Sequence, residues 1–479
     1  MNERSPATQL DATSAAAPDA TRTRSLRLAR SLLTGLFRDF HQSLSVRLWR
    51  GEMFRVGGNP GNHADPEFNL IFRNAAVVCS LVLDRDPLRI ADAYFRGDVD
   101  IEGDFRAALA LRNHLQEIRL SWRDRLWAIL AAIRLKLLSE ADSNDAALPG
   151  PRRATLVKRH SKAENRDAVQ FHYDLSNDFY SLWLDPALVY SCAYFETPEV
   201  DLESAQQAKL EHICRKLLLS PGERFLDVGC GWGALVIYAA RHFGVRAHGI
   251  TLSQQQLTLA RARIAAAGLE ERVTVELRDY RDLDGEDEYD KVASIGMFEH
   301  VGLKNLPAYF AAINRLLRPS GLFLNHGITH DTAGWQPSVS TAFINRYVFP
   351  DGQLDTIGNI LATMEGARLE IADVEGLRAH YAQTLRHWVD RLERNHDAAR
   401  RYVNEATYRV WRLYMTASSL EFQSGELGVY QVLAVKRSDT ASALPLTRRH
   451  LYDVGRPHGH GFLRFGPAPE AGISSTEKL

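Results

Sequence analysis

"LDVGCGWGALVIYAA", residues 226–240, decides how the chain is read. An apolar, strand-like run, Phe225 to Val228, stops at Gly229, Gly231 and Gly233, and a helical pattern, Ala234 to His242, starts at once. Glycines let the backbone approach a bulky ligand and take dihedrals closed to other residues. The helix behind them aims free N–H groups and its positive dipole end at polar atoms. The stretch is a ligand-binding turn between a strand and a helix.

Outward from this turn, strand candidates recur at Arg224 to Val228, Val245 to Ile250, Val273 to Leu277, Lys291 to Ile295 and Leu322 to Asn325, with helical runs between them. That alternation predicts an α/β fold, a doubly wound Rossmann-like sheet whose ligand sits at the carboxyl ends of the strands. The ends carry Asp227, Thr251, Asp279, Glu299 and His326. Farther on, "HYAQTLRHWVDRLERNHDAAR" reads as helix and "VYQVLAVK" as a last strand. A dinucleotide site would show G-x-G-x-x-G and an acidic residue about 20 positions later. The turn here is G-x-G-x-G, and the next strand leads into "GITLSQQQ", with hydroxyls and amides but no carboxylate. The pattern resembles the S-adenosylmethionine turn of class I methyltransferases, in which the acidic residue closing the first strand, here Asp227, positions the turn.

The 479 residues exceed one ordinary core and suggest about two or three domains. With 45% hydrophobic and 24% charged residues the composition is globular, and a net charge of -1 gives no global attraction to nucleic acid. The division expected is a disordered tail (1–24), a small N-terminal lipid-associated α+β domain (25–147), a basic linker (148–166), the methyltransferase domain (167–438) and a C-terminal tail (439–479). Residues 25–50 carry Leu, Phe and Trp at helical spacing between arginines, and packing on the chain's own domain outweighs a membrane-surface helix. "FNLIFRN" and "AAVVCSLVL" read as short alternating runs. Apolar runs such as Leu126 to Ile133 fall short of the roughly 20 residues needed to cross a bilayer. Cys79, Cys192, Cys214 and Cys230 lack metal-type pairing and point to thiols in a reducing cytoplasm. His160, His172, His380, His387 and His396 show no H-x-x-x-H or H-E-x-x-H pair, so no metal is expected.

Several stretches then converge in order: "FHYDLSNDFYSLWLD" (171–185), "YSCAYF" (190–195), "AQQAKLEHICRKLLL" (205–219), "GITLSQQQ", "DYRD" (279–282), "IGMFEHVG" (295–302), "HGIT" (326–329), "NRYVFPDGQL" (345–354) and "HYAQTL" (380–385). Together with the glycine turn they resemble the cyclopropane-fatty-acyl-phospholipid synthase family from about 165 to 435. The resemblance implies a donor site for S-adenosylmethionine made by Tyr190, Ser191, Asp227, Gly229, Gly231, Thr251 and Gln256, with Asp279 and Tyr280 near the adenine. It implies transfer of a one-carbon unit to a cis double bond of an unsaturated phospholipid acyl chain, closing a ring. Bicarbonate would be the base, held by Cys192, Glu299, His326, Ile328 and Tyr381. Phe171, Tyr173, Tyr190, Tyr194, Phe195 and Phe298 are candidates to line a dry pocket around the carbocation.

One departure stands out. The family's H-T-I-G order is replaced by "LNHGIT" (324–329), so Asn325 and Gly327 differ around His326. A shifted base would favour a methyl-branched or exo-methylene product over a ring. The implied partner is a phospholipid bilayer, met peripherally at the inner face of the membrane, with the basic linker and the 25–50 helix as contacts. A homodimer is left open.

Overall fold

The computed structural model describes residues 16–58, 65–83, 87–117, 121–139, 172, 175–334, 338–350, 352–439 and 444–452. The linker expected at 148–166, Phe171, Tyr173 and most of the two tails lie outside the described residues. Contacts divide the chain into one unit of residues 1–152 with 405–410 and a second of 153–404 with 411–479. The segment 405–410 joins the first unit through Arg409. Its guanidinium donates to the Tyr94 carbonyl at 2.9 Å, pairs with Asp100 at 3.0 Å and lies 5.0 Å from the Tyr94 ring centroid.

The first unit holds a four-stranded sheet in the order β2-β1-β3-β4, made of β1 (Ser43–Arg47), β2 (Met53–Gly57), β3 (Phe68–Phe72) and β4 (Val99–Gly103). Two expectations are corrected here. The helix read over 25–50 starts at Ala16, inside the supposed tail, and ends at Leu36. Leu44, Val46 and Leu48 alternate with Ser43, Ser45 and Arg47, a strand period, and β1 pairs with both β2 and β3. The run "AAVVCSLVL" is a helix, Ala75–Leu83, whose start is marked by Asn74 Oδ1 accepting from the Val77 N–H at 3.3 Å. Short apolar runs do not declare their period, and the cap was the overlooked signal.

The second unit is built on a seven-stranded sheet in the order β10-β11-β9-β8-β5-β6-β7. The strands are β5 (Arg224–Val228), β6 (Arg246–Thr251), β7 (Val273–Leu277), β8 (Tyr289–Ile295), β9 (Leu317–His330), β10 (Leu369–Gly376) and β11 (Leu427–Lys436). Strands β9, β8, β5, β6 and β7 run parallel, while β11 is antiparallel to both β9 and β10. The chain winds from β5 outward to β7, then returns to β8 on the other side of β5. That reversal opens a crevice at the carboxyl ends of β5 and β8. Strand β10 was not foreseen. Its buried positions, Leu369 and Asp373, are interleaved with exposed Glu370, Ala372 and Val374, a run with no clean apolar face to stand out.

Helices cover both faces and are fixed by local signals. Asp201 caps the helix Leu202–Lys216 by accepting from the Ser204 N–H at 2.7 Å, and Ser253 caps Gln254–Ala266. The helix Ala234–Phe243 begins and ends on glycines with left-handed backbones, Gly233 and Gly244.

Candidate active site

The glycine turn closes β5 against β6. The N–H groups of Gly229 and Cys230 both donate to the Ile250 carbonyl, at 3.0 and 2.9 Å. Gly229 has φ of 86°, a left-handed backbone that disfavours a side chain, and a Cβ there would press Met297 Cγ at 3.1 Å. Arg263 holds the turn from the side by donating to the carbonyls of Trp232 and Ala187, at 2.9 and 2.8 Å.

A cleft opens over this turn. Tyr190, Ser191, Asp227, Gly229, Gly231, Thr251, Gln256, Asp279 and Tyr280 all line it, so all nine residues expected at a donor site come to one place. The Thr251 hydroxyl donates to Gln256 Oε1 at 2.7 Å, and the Asp279 carboxylate receives Arg281 through contacts of 2.8 and 2.6 Å. At the floor lies Asp227, 3% exposed, with Oδ1 lacking any partner among the described residues. Burial pushes its carboxyl up to about 7, and the Lys209 ammonium pulls part of the way back.

Lys209 is a residue that the motif reading passed over. It is buried, donates to Ser191 Oγ at 2.9 Å, and burial brings its ammonium down to about 8. A signal existed. In the helix Leu202–Lys216, Ala205, Lys209, Ile213 and Lys216 fall at helical spacing on the buried side, so two lysines sit where apolar residues belong.

The residues expected to hold an anion do not line this cleft. Glu299 follows β8, and His326 and Ile328 lie near the end of β9. Glu299 sits in the one-turn helix Phe298–His300, directly after Met297 and before His300 and Val301, which line the cleft with Met297. Glu299 Oε1 accepts from the Ile328 N–H at 2.8 Å, while Oε2 is buried and unpartnered among the described residues. Burial raises its carboxyl above the usual range, partly offset by that N–H. His326, two positions before Ile328 on β9, presents its side chain to the same face of the strand. Its Nδ1 receives the Gln431 Nε2 group at 3.3 Å, which leaves the proton on Nε2, a buried atom with no partner among the described residues. Burial and the Lys209 charge hold His326 well below its usual pKa, so it is neutral.

The sheet joins these groups to the other two. Ile328 pairs with Val429, and the Val429 carbonyl receives the Leu377 N–H at 2.8 Å. The Leu377 carbonyl accepts from the Tyr381 N–H at 3.1 Å and lies 3.8 Å from Cys192 Sγ. Cys192 is 1% exposed, and burial pushes its thiol far above the ordinary range, so it is no thiolate nucleophile. Ile328 differs from expectation in one respect. Its N–H is committed to Glu299, which makes it a clamp on the carboxylate.

Aromatic residues divide into two sets. Tyr190 packs with Trp183, Trp388 and Trp411, ring centroids 5.2–6.2 Å apart. Tyr194 lies instead between His212 and His380, and Phe195 against His387. Phe298 covers Gly327 so closely that a Cβ there would fall 1.9 Å from the ring. The departure at Gly327 is therefore coupled to the seat of Phe298, the neighbour of Glu299.

Residues 160–432 match the model of the mycolic acid cyclopropane synthetase family. A "Probable fatty acid methyltransferase" of Pseudomonas putida is 39% identical over 415 residues, 86% of this chain and 97% of that protein. The cyclopropane-fatty-acyl-phospholipid synthase of Escherichia coli is 40% identical over 280 residues, 58% of this chain and 70% of that protein. Among solved structures, mycolic acid cyclopropane synthase CmaA1 complexed with SAH and CTAB superposes with a TM-score of 0.54 at 34% identity, covering 57% of this chain and 98% of that one. A cleft over a glycine turn on a seven-stranded sheet, and a family match over more than half the sequence, place this chain in the mycolic acid cyclopropane synthetase family of S-adenosylmethionine-dependent methyltransferases.

Proposed function

We propose that the protein transfers a one-carbon unit from S-adenosylmethionine to the cis double bond of an unsaturated phospholipid acyl chain and closes a cyclopropane ring, with bicarbonate as the bound base. The observation that carries this reading is that two buried polar atoms, Glu299 Oε2 and His326 Nε2, have no partners among the described residues. Buried polar groups are nearly always satisfied, so an acceptor and a donor left unpaired suit a small ligand that can both give and take hydrogen bonds. Bicarbonate fits that pair. When bound, it supplies a compact base for the proton that leaves the transferred carbon.

The chain's own residues do the rest. The turn at Gly229 and Gly231 lets the backbone come close to the nucleotide, and Thr251, Gln256 and Asp279 offer polar groups around it. An alkene is a poor nucleophile. Holding it in line with the donor methyl can remove about 7–11 kcal/mol of barrier. The cation left on the acyl chain must be kept from water, and Cys192, Glu299 and His326 are all buried. The aromatic face of Tyr190 can stabilise such a cation by about 2 kcal/mol when desolvated. Glu299 Oε2 accepts from the ligand's O–H, while His326 Nε2–H and the Tyr381 hydroxyl donate to its oxygens.

A second reading is favoured by Gly327. With Phe298 seated over it, the base can sit differently: proton loss from the methyl-bearing chain carbon gives a methyl-branched olefin, and a 1,2-hydride shift followed by proton loss from the transferred methyl gives an exo-methylene chain. Incubation of the protein with S-adenosylmethionine and vesicles of cis-unsaturated phospholipid, followed by mass spectrometry and NMR of the acyl chains, tests both. A gain of one methylene with loss of the olefin and new ring protons supports ring closure. A surviving olefinic signal supports the branched product, and no mass gain removes both.

A further inference from the structure

The helix Trp122–Ser139 has two sides of opposite fate. Ala128, Ala131, Ala132 and Leu135 are buried, and the helix packs on Ala16–Leu36 and Ala75–Leu83. At about 100° per residue, the side facing away carries Trp122, Leu126, Leu130, Ile133 and Leu137 in one crest. These five are between 44% and 72% exposed. A continuous apolar stripe of this size on a protein surface marks an interaction. By the same helical geometry, Arg123 and Arg134 flank the crest on one side, and Arg125 and Lys136 on the other; all four are exposed. The only acidic residue of the helix, Asp124, lies away from the crest and accepts from the Ser121 hydroxyl at 2.7 Å.

The charge pattern chooses the occupant. In a second copy, the same face would bring rows of cations toward each other with no carboxylate between them. An anionic lipid surface satisfies both features, because the crest enters the headgroup boundary while the basic flanks meet phosphates. Tryptophan at the end of the crest suits that boundary. We propose that the helix Trp122–Ser139 lies in the plane of an anionic phospholipid surface and docks the protein there through its crest. The inference rests on the proposed function for its choice of lipid as partner. The sequence had pointed to residues 25–50 for this contact. There Leu32, Leu33, Leu36 and Phe37 are buried, so that helix has no apolar stripe to spare.

The test uses the full chain and the variant L126S/L130S/L137S, sedimented with phosphatidylcholine vesicles with and without phosphatidylglycerol. The wild type is expected to partition onto the anionic vesicles, and the variant to lose about tenfold or more of that partition. Circular dichroism should be unchanged, because the altered side chains face outward. The charge variant R123S/R134S should weaken binding to anionic vesicles only. Equal partition of wild type and L126S/L130S/L137S overturns the inference, as does a loss of self-association with vesicle binding intact. Turnover of detergent-dispersed phospholipid separates this from the proposed function. If the wild type modifies no lipid yet docks through the crest, docking stands and the reaction falls. If it modifies dispersed lipid and the crest variant still docks, the reaction stands and this surface falls.

Discussion

Two acidic corners of the same sheet behave in opposite ways. At the carboxyl ends of β5 and β8, Asp227 and Glu299 are buried with one oxygen each unpartnered among the described residues, and burial raises both carboxyls. On β10, Asp373 and Glu375 face cations. Glu375 receives Lys216 Nζ at 2.5 Å and His212 Nε2 at 2.7 Å, Lys216 reaches Asp373 at 3.8 Å, and Arg448 binds Asp373 as well. Burial alone would raise Glu375, but His212 and Lys216 outweigh it and bring the carboxyl down to about 2. The lesson is that a buried acid with its partners in place is scaffold, whereas one left incomplete is prepared for a ligand. One cross-strand row links the two kinds of corner, since Glu375 pairs with Gln431, and Gln431 with His326.

The sharpest attempt to break this contrast is Glu299→Gln. Product formation should fall by about 10²–10⁴-fold while melting temperature holds or rises, because a neutral amide is cheaper to bury. Wild-type turnover in this variant would end the assignment of Glu299. Lys216→Met should do the reverse. Stripping the cation from Glu375 and Asp373 is expected to cost about 3–5 kcal/mol in urea denaturation, with donor affinity in calorimetry little changed. A loss below about 1 kcal/mol would show that the pairing is not structural.

Smaller effects sharpen the picture. Gly327→Ala forces a methyl into the Phe298 ring and should cost about 1–3 kcal/mol, with product composition shifting because Glu299 adjoins that ring. A neutral outcome by denaturation and NMR would mean the ring has room to move. The gentlest test is pH. The Asp227 carboxyl is raised from 3.8 to about 7 in the folded protein, so the stability tied to its protonated form is full below about pH 4 and lost as pH rises through about 7. Asp227→Asn should flatten that slope, gaining on the wild type toward neutral pH, and should weaken binding of the donor. Glu375, lowered from 4.5 to about 2, works in the other direction, contributing above about pH 4.5 and failing as pH falls toward about 2. Parallel pH curves for D227N and wild type would contradict the buried, incomplete state of Asp227.

The sequence by itself determined the winding of the sheet and which residues line the cleft over the glycine turn. The reason is locality: β5, its glycine turn and the next helix are adjacent in the chain, and each strand end carried its own polar residue. Even so, strand β10 and the capped helix Ala75–Leu83 escaped, because their periods were masked by charge or by unbroken apolarity. Only the tertiary structure decided which acids are paired and which are left waiting. That depends on residues far apart, such as Lys216 against Glu375, Ile328 against Glu299 and Phe298 against Gly327. It likewise decided which amphipathic helix is covered, since Ala16–Leu36 and Trp122–Ser139 look alike as strings and differ in what packs on them. Burial and pairing are properties of the assembled fold, and no spacing along a chain reports them.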